Sequence, residues 1–163
     1  MSIAHADSRA VAVNRFIASA ALMVFLLASA DLIFACTYWH QLYAVPWSRL
    51  VQNIAAGLLG KRSFAGGAPT VVLGALLQYF MMSIMVGAYY AISTRMHVLR
   101  ERPWQYGLLY GVVLFVVMNF IVLPLSAAPK GPVVPSWIVG SVVVHLIIGV
   151  SIAHGARWAV RRD

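Results

Sequence analysis

The sequence predicts an all-α integral membrane protein of four transmembrane helices in a compact bundle, with a short interfacial helix between the first two. Three observations predict it. Hydrophobic residues make up 62% of the 163-residue chain and charged residues 10%, against roughly 45–50% and 25% in ordinary soluble domains. A soluble core cannot hide that surplus, because small globular proteins bury only about 70% of their unfolded surface. The apolar residues gather in four runs, each close to the roughly 20 residues that span about 30 Å of hydrocarbon at 1.5 Å per residue. The twelve Lys and Arg residues lie between these runs and form no continuous basic stripe. The net charge of +8 therefore reads as a determinant of membrane orientation and points away from nucleic acid as a partner.

The first run extends from about Phe16 to Tyr38. Arg9 and Arg15 before it, with Ala28-Ser29-Ala30 inside it, also fit a cleavable signal peptide. The apolar run continues past that cut through Leu32, Ile33, Phe34 and Ala35, so an uncut first helix is the expectation. The later spans run from about Thr70 to Ile92, Gly107 to Leu125 and Trp137 to Ala156. Barrel strands are disfavoured, since they would be about ten residues of alternating polarity. The whole chain, residues 1–163, reads as one membrane domain.

Between the first two spans lies Pro46-Trp47-Ser48-Arg49-Leu50-Val51-Gln52-Asn53-Ile54-Ala55-Ala56-Gly57-Leu58-Leu59-Gly60. Ser48 can cap a short helix over about residues 48–60, its apolar residues fall near helical spacing, and Gly60 can end it. About a dozen residues cannot cross a bilayer, so this helix is expected at the outer interface. Gly66-Gly67-Ala68-Pro69 then turns the chain into the second span.

Orientation follows from the flanking charges. With the N-terminus inside, Arg9, Arg15, Arg95, Arg100, Arg102, Arg157, Arg161 and Arg162 are cytoplasmic, and Arg49, Lys61, Arg62 and Lys130 are outside. The larger inside set places both termini in the cytoplasm. Trp39, Tyr43, Trp47 and Trp137 would then mark the outer interface, and Trp104, Tyr106 and Trp158 the inner one. The inner loop from Arg95 to Arg102 serves first as a topology determinant and is basic enough to meet anionic headgroups.

An ionisable group inside a span costs roughly 3 kcal/mol on insertion scales, which makes it a functional candidate. Asp31 is the acid of these spans. Depth counting places Asp31, Gln78, Asn119 and His145 roughly 8–15 Å below the outer boundary, one from each span. Ala21, Val24, Ala28, Asp31 and Ala35 share a helical face, Gly74 precedes Gln78 by four, Gly111 and Phe115 lead to Asn119 in steps of four, and Ser141 and Gly149 flank His145. The four polar residues are therefore expected to point into the bundle as one layer. Three readings of that layer stand: interhelical hydrogen bonding alone, a proton or cation site on Asp31 and His145, or a lipid or small hydrophobic ligand site. A haem would need His97 and His154 at one depth near the inner face, but His97 falls in the charged loop. Met81, Met82 and Met85 read as apolar packing before soft-metal ligands. Cys36, the single cysteine, excludes an intramolecular disulfide and reads as a small packing residue. No metal site and no cofactor is expected, and no nucleotide, zinc-protease or nucleophile-elbow motif supports soluble-type catalysis.

Asp31-Leu32-Ile33-Phe34-Ala35, the Gln52 to Gly60 stretch, Gly66-Gly67, Met118-Asn119 and Leu123-Pro124-Leu125 resemble small bacterial inner-membrane proteins of the YagU-like group. The resemblance covers most of the chain. It implies a four-helix protein of the bacterial inner membrane and brings no substrate or catalytic residue with it. Where such proteins carry a histidine this chain has Gln78, so no His-dependent role transfers to that position. Two function classes follow. One is a non-enzymatic assembly or accessory module contacting membrane lipids, a second copy of itself or a partner membrane protein. The other is a translocator of protons, cations or a small solute through the polar layer.

Overall fold

Long apolar runs without an interior breaker have little choice but to satisfy their own backbone, and they do so as helices. The computed structural model describes the backbone of residues 2–160 and the side chains of residues 11 and 13–160. The side chain of Arg9, and Arg161 and Arg162, which entered the orientation count, lie outside the described residues. The described chain is all-helical and contains no strand: α1 (Ser2–Tyr43), α2 (Trp47–Leu59), a 3₁₀ turn (Gly60–Ala65), α3 (Gly67–Arg95), α4 (Val98–Glu101), α5 (Pro103–Val117), a π-helical turn (Met118–Val122), α6 (Leu123–Leu125) and α7 (Pro135–Val160). Four stretches are long and apolar enough to cross a membrane: Val13–Tyr43, Gly67–Arg95, Pro103–Leu125 and Pro135–Val160.

Each stretch outruns its predicted span by a few residues at one end or both, and the last three begin at Gly67, Pro103 and Pro135. α1 is the extreme case. Its 42 residues reach about 63 Å at 1.5 Å per residue, and it stops only where Ala44 takes a left-handed backbone (φ 51°) and Pro46 follows. His40 Nδ1 donates to the Val45 carbonyl across that corner at 3.1 Å. In the third stretch Pro124 lacks an N–H, and its ring crowds the carbonyl four residues earlier. The backbone widens into the π-helical turn Met118–Val122 just before it, an accommodation that keeps the stretch continuous.

α2 forms where a short helix was expected, but its start differs. Pro46 in extended conformation (φ −61°, ψ 141°) stands at the N-cap and no side chain caps the helix, so Ser48 falls inside the first turn and does not cap. Gly60 ends it with φ 58°, a left-handed value suited to glycine, and the chain continues as the 3₁₀ turn. Val51, Gln52, Ala55 and Ala56 are buried against α3. Gln52 Nε2 donates to Thr70 Oγ1 at 3.1 Å and to the Gly67 carbonyl at 3.2 Å, and Thr70 Oγ1 donates to the Ser63 carbonyl at 2.7 Å. A Cβ at Gly74 would collide with the Val51 carbonyl, so only glycine lets α2 settle this close. Ala127 N–H, in the linker after α6, donates to the Gly57 carbonyl at 2.9 Å and ties that linker to the end of α2.

α1 packs antiparallel to α3 and to α7, and α5 antiparallel to α7, while α3 and α7, which also touch, run parallel. α5 and α7 form the closest pair, with Gly107, Gly111 and Gly149 interlocked. A Cβ at Gly111 would stand 2.6 Å from the His145 carbonyl oxygen, and one at Gly107 2.7 Å from Val150 Cα. α1 lies against both α3 and α7. The buried core between them holds Ala28, Met82, Val86, Tyr90, Ile148 and Ile152. Arg15 Nε donates to the Ala159 carbonyl at 3.3 Å, so the start of the apolar part of α1 and the end of α7 lie at one end of the molecule, the arginine end. At the opposite, tryptophan end, Trp39 and Trp137 stand 5.4 Å apart between ring centroids, joined by Tyr38, Tyr43 and Phe34. Many large apolar side chains face outward along the helices, Leu76, Phe80, Leu109, Phe120 and Ile147 among them, which gives the bundle an apolar outer surface.

Candidate functional site

The antiparallel register of α1 and α3 is set by three side-chain contacts in succession. Ser19 Oγ and the Tyr90 hydroxyl share a hydrogen bond of 2.9 Å, Ser29 Oγ and the Tyr79 hydroxyl one of 2.7 Å, and Gln78 Nε2 donates to Asp31 Oδ2 at 2.7 Å. Ser19 Oγ also donates to the Gly155 carbonyl at 3.2 Å, which extends the first contact to α7. Each brings polar groups together inside the apolar stretch, where an unpaired one is costly.

Asp31 and Gln78 thus meet directly, each half-buried. Gln78 is the carboxylate's one hydrogen-bond donor among the described residues. His145, on α7, lies within electrostatic reach of Asp31 without hydrogen-bonding to it. Its Nδ1 stands 2.8 Å from the Ser141 carbonyl. A carbonyl only accepts, so Nδ1 carries a hydrogen and donates it, which leaves Nε2 outside that bond. Phe115 on α5 meets that ring edge-on at 5.7 Å.

Among the described residues Asn119 makes no hydrogen bond to the other three. It lies four residues, about one helical turn, beyond Phe115, whose ring meets that of His145. Its Nδ2 donates to the Phe115 carbonyl of its own helix at 2.9 Å, within the turn that widens before Pro124. The structure therefore joins Asp31 with Gln78, keeps His145 nearby, and turns the Asn119 amide back to its own helix. The small residues assigned to the same faces serve backbone approach: Gly74 meets α2, while Gly111 and Gly149 meet each other.

Sequence reasoning passed over the tyrosines. Tyr79, Tyr90 and Tyr110 each bridge to another helix, Tyr110 donating to the Met85 carbonyl at 2.7 Å. The available signal was adjacency, since Tyr79 follows Gln78 and Ser29 precedes Asp31 by two. Met82 and Met85 pack in the apolar core. His97 is exposed at the start of α4, and His154 donates from Nδ1 to the Val150 carbonyl at 2.9 Å with its ring 5.0 Å from Trp104. Among the described residues no group of three or more His, Cys, Asp and Glu side chains is placed to hold a metal ion.

Comparison of the chain with protein families, with curated proteins and with solved structures returns no match.

Proposed function

We propose that this protein is a non-enzymatic helical module of the bacterial inner membrane, crossing it four times with both termini cytoplasmic, and that it acts as an assembly or accessory unit with a second copy or a partner membrane protein. The four apolar stretches and the outward-facing apolar side chains support insertion. The arginine end, with Arg15, Arg95, Arg100, Arg102 and Arg157, supports a cytoplasmic assignment by the positive-inside rule. α2 then lies in the outer interface, and the YagU-like resemblance belongs to the same reading.

The observation that favours a structural over a transporting polar layer is the Asp31–Gln78 pair, and the outward-facing apolar side chains are the surface a second copy or partner would meet. One neutral amide on the neighbouring helix answers the carboxylate, as expected of a tie between helices. The test is Asp31→Asn in protein reconstituted into vesicles. Retained thermal stability and an unchanged size in detergent support a structural tie; a loss of more than about 2 kcal/mol, above the usual range for interhelical bonds in membranes, counts against it.

A second reading, translocation of protons, cations or a small solute, is favoured by one observation: His145 lies near Asp31 with its Nε2 outside the Ser141 bond. A vesicle-entrapped pH dye separates the two. Proton flux in the wild type that vanishes in a fully folded Asp31→Asn protein would replace the structural reading with the transport one.

A further inference from the structure

Arg49, Lys61, Arg62 and Lys130 are the charges that sit awkwardly with the orientation, because they leave a basic cluster on the outer side. The structure puts three of them on one surface. α2 presents three faces. Val51, Gln52, Ala55 and Ala56 point into the protein. About 120° away in the helical projection, Trp47, Ile54 and Leu58 form an apolar strip, with Trp47 and Leu58 exposed. Arg49 and Asn53, both exposed, occupy the remaining sector.

The 3₁₀ turn continues the polar sector. Lys61 and Arg62 are exposed there, and Arg49 lies over the Phe64 ring at 3.9 Å, which fixes the guanidinium beside the turn. The Ala127 bond to Gly57 holds the following linker, and with it exposed Lys130, to the same end of α2. No carboxylate is placed at this end among the described residues: Asp31 sits deep in α1, and Glu101 lies beyond the far end of α3.

We propose that α2 and its 3₁₀ turn form a docking surface for anionic phospholipid headgroups of the outer leaflet, with the Trp47–Leu58 strip in the acyl region and Arg49, Lys61 and Arg62 against the phosphates. The inference rests on the four-crossing reading above. Charge complementarity selects the occupant: a surface with cations, no acid and an adjoining apolar strip fits a lipid that carries negative charge at the depth where its chains begin. Gln52, Thr70 and the Gly74 contact hold the surface rigidly on α3, so it meets the lipid already formed. It also gives the outward-facing cations a role.

Native mass spectrometry of the detergent-purified protein, stripped of lipid and mixed with phosphatidylglycerol, phosphatidylcholine or inorganic phosphate, tests the proposal. Phosphatidylglycerol should be retained in preference to phosphatidylcholine, and phosphate should neither bind nor displace it. Retention should fall about tenfold in Lys61→Gln/Arg62→Gln, whose exposed side chains can be exchanged while the Arg49–Phe64 contact stays. Arg95→Gln/Arg100→Gln, at the arginine end, should leave retention within about twofold of wild type. Equal retention of the two lipids, displacement by phosphate, an unchanged Lys61→Gln/Arg62→Gln protein, or an equal loss from the arginine-end variant would each overturn it. Alkaline extraction of wild-type membranes separates the two levels. Protein that is washed off refutes the membrane reading and this inference together, whereas protein that stays but shows no lipid preference refutes the docking surface alone.

Discussion

Between α5 and α7 the backbones touch through glycine, whereas between α1 and α3 side-chain oxygens and nitrogens make the join. At the first contact Gly107, Gly111 and Gly149 leave no room for a Cβ, so attraction comes from dispersion over closely approached main chain. At the second, the Ser19, Ser29 and Asp31 contacts with Tyr90, Tyr79 and Gln78 bridge a wider gap and set register. The difference teaches where the molecule tolerates change. A glycine interlock fails as soon as an atom is added, while a polar tie between helices in lipid is worth about 1 kcal/mol or less, because the separated helices find other partners.

That contrast can be broken in graded steps. Gly111→Val should be the most damaging change, costing about 3 kcal/mol as overpacking against main chain and read as an early unfolding transition in mild detergent. Asp31→Leu should come next, since it leaves the Gln78 amide without its acceptor at a cost of about 1–2 kcal/mol. Tyr79→Phe should cost about 0.6 kcal/mol, the average for such bonds in membranes. A Tyr79→Phe loss equal to that of Gly111→Val would mean that the two contacts are not different in kind.

The four apolar stretches were legible because length and composition alone decide whether a segment can cross hydrocarbon. α2 was legible from its apolar spacing, but its start was not, since Pro46 sets the boundary through its own backbone angles and leaves Ser48 no capping role. The pairing of Asp31 with Gln78 was anticipated by depth. The sliding of α5 along α7 was not legible, because depth counting assumes four helices whose ends are level, while the glycine interlock sets that offset. Side-chain direction was equally hidden: Asn119 spends its amide hydrogen on Phe115, a choice linked to the π-helical turn before Pro124. The tyrosine hydroxyls escaped notice because tyrosine in an apolar run reads as an interface aromatic.

Sidedness of the two loops that flank α3 tests the account most directly. In a Cys36→Ser background, Lys61→Cys and Arg100→Cys would be exposed in intact cells to a maleimide that cannot cross the inner membrane, and then again after permeabilisation. With four crossings and cytoplasmic termini, Lys61→Cys is labelled at once and Arg100→Cys only after permeabilisation. Labelling of both from outside would show that α3 does not cross, and the opposite pattern would invert the protein in its membrane.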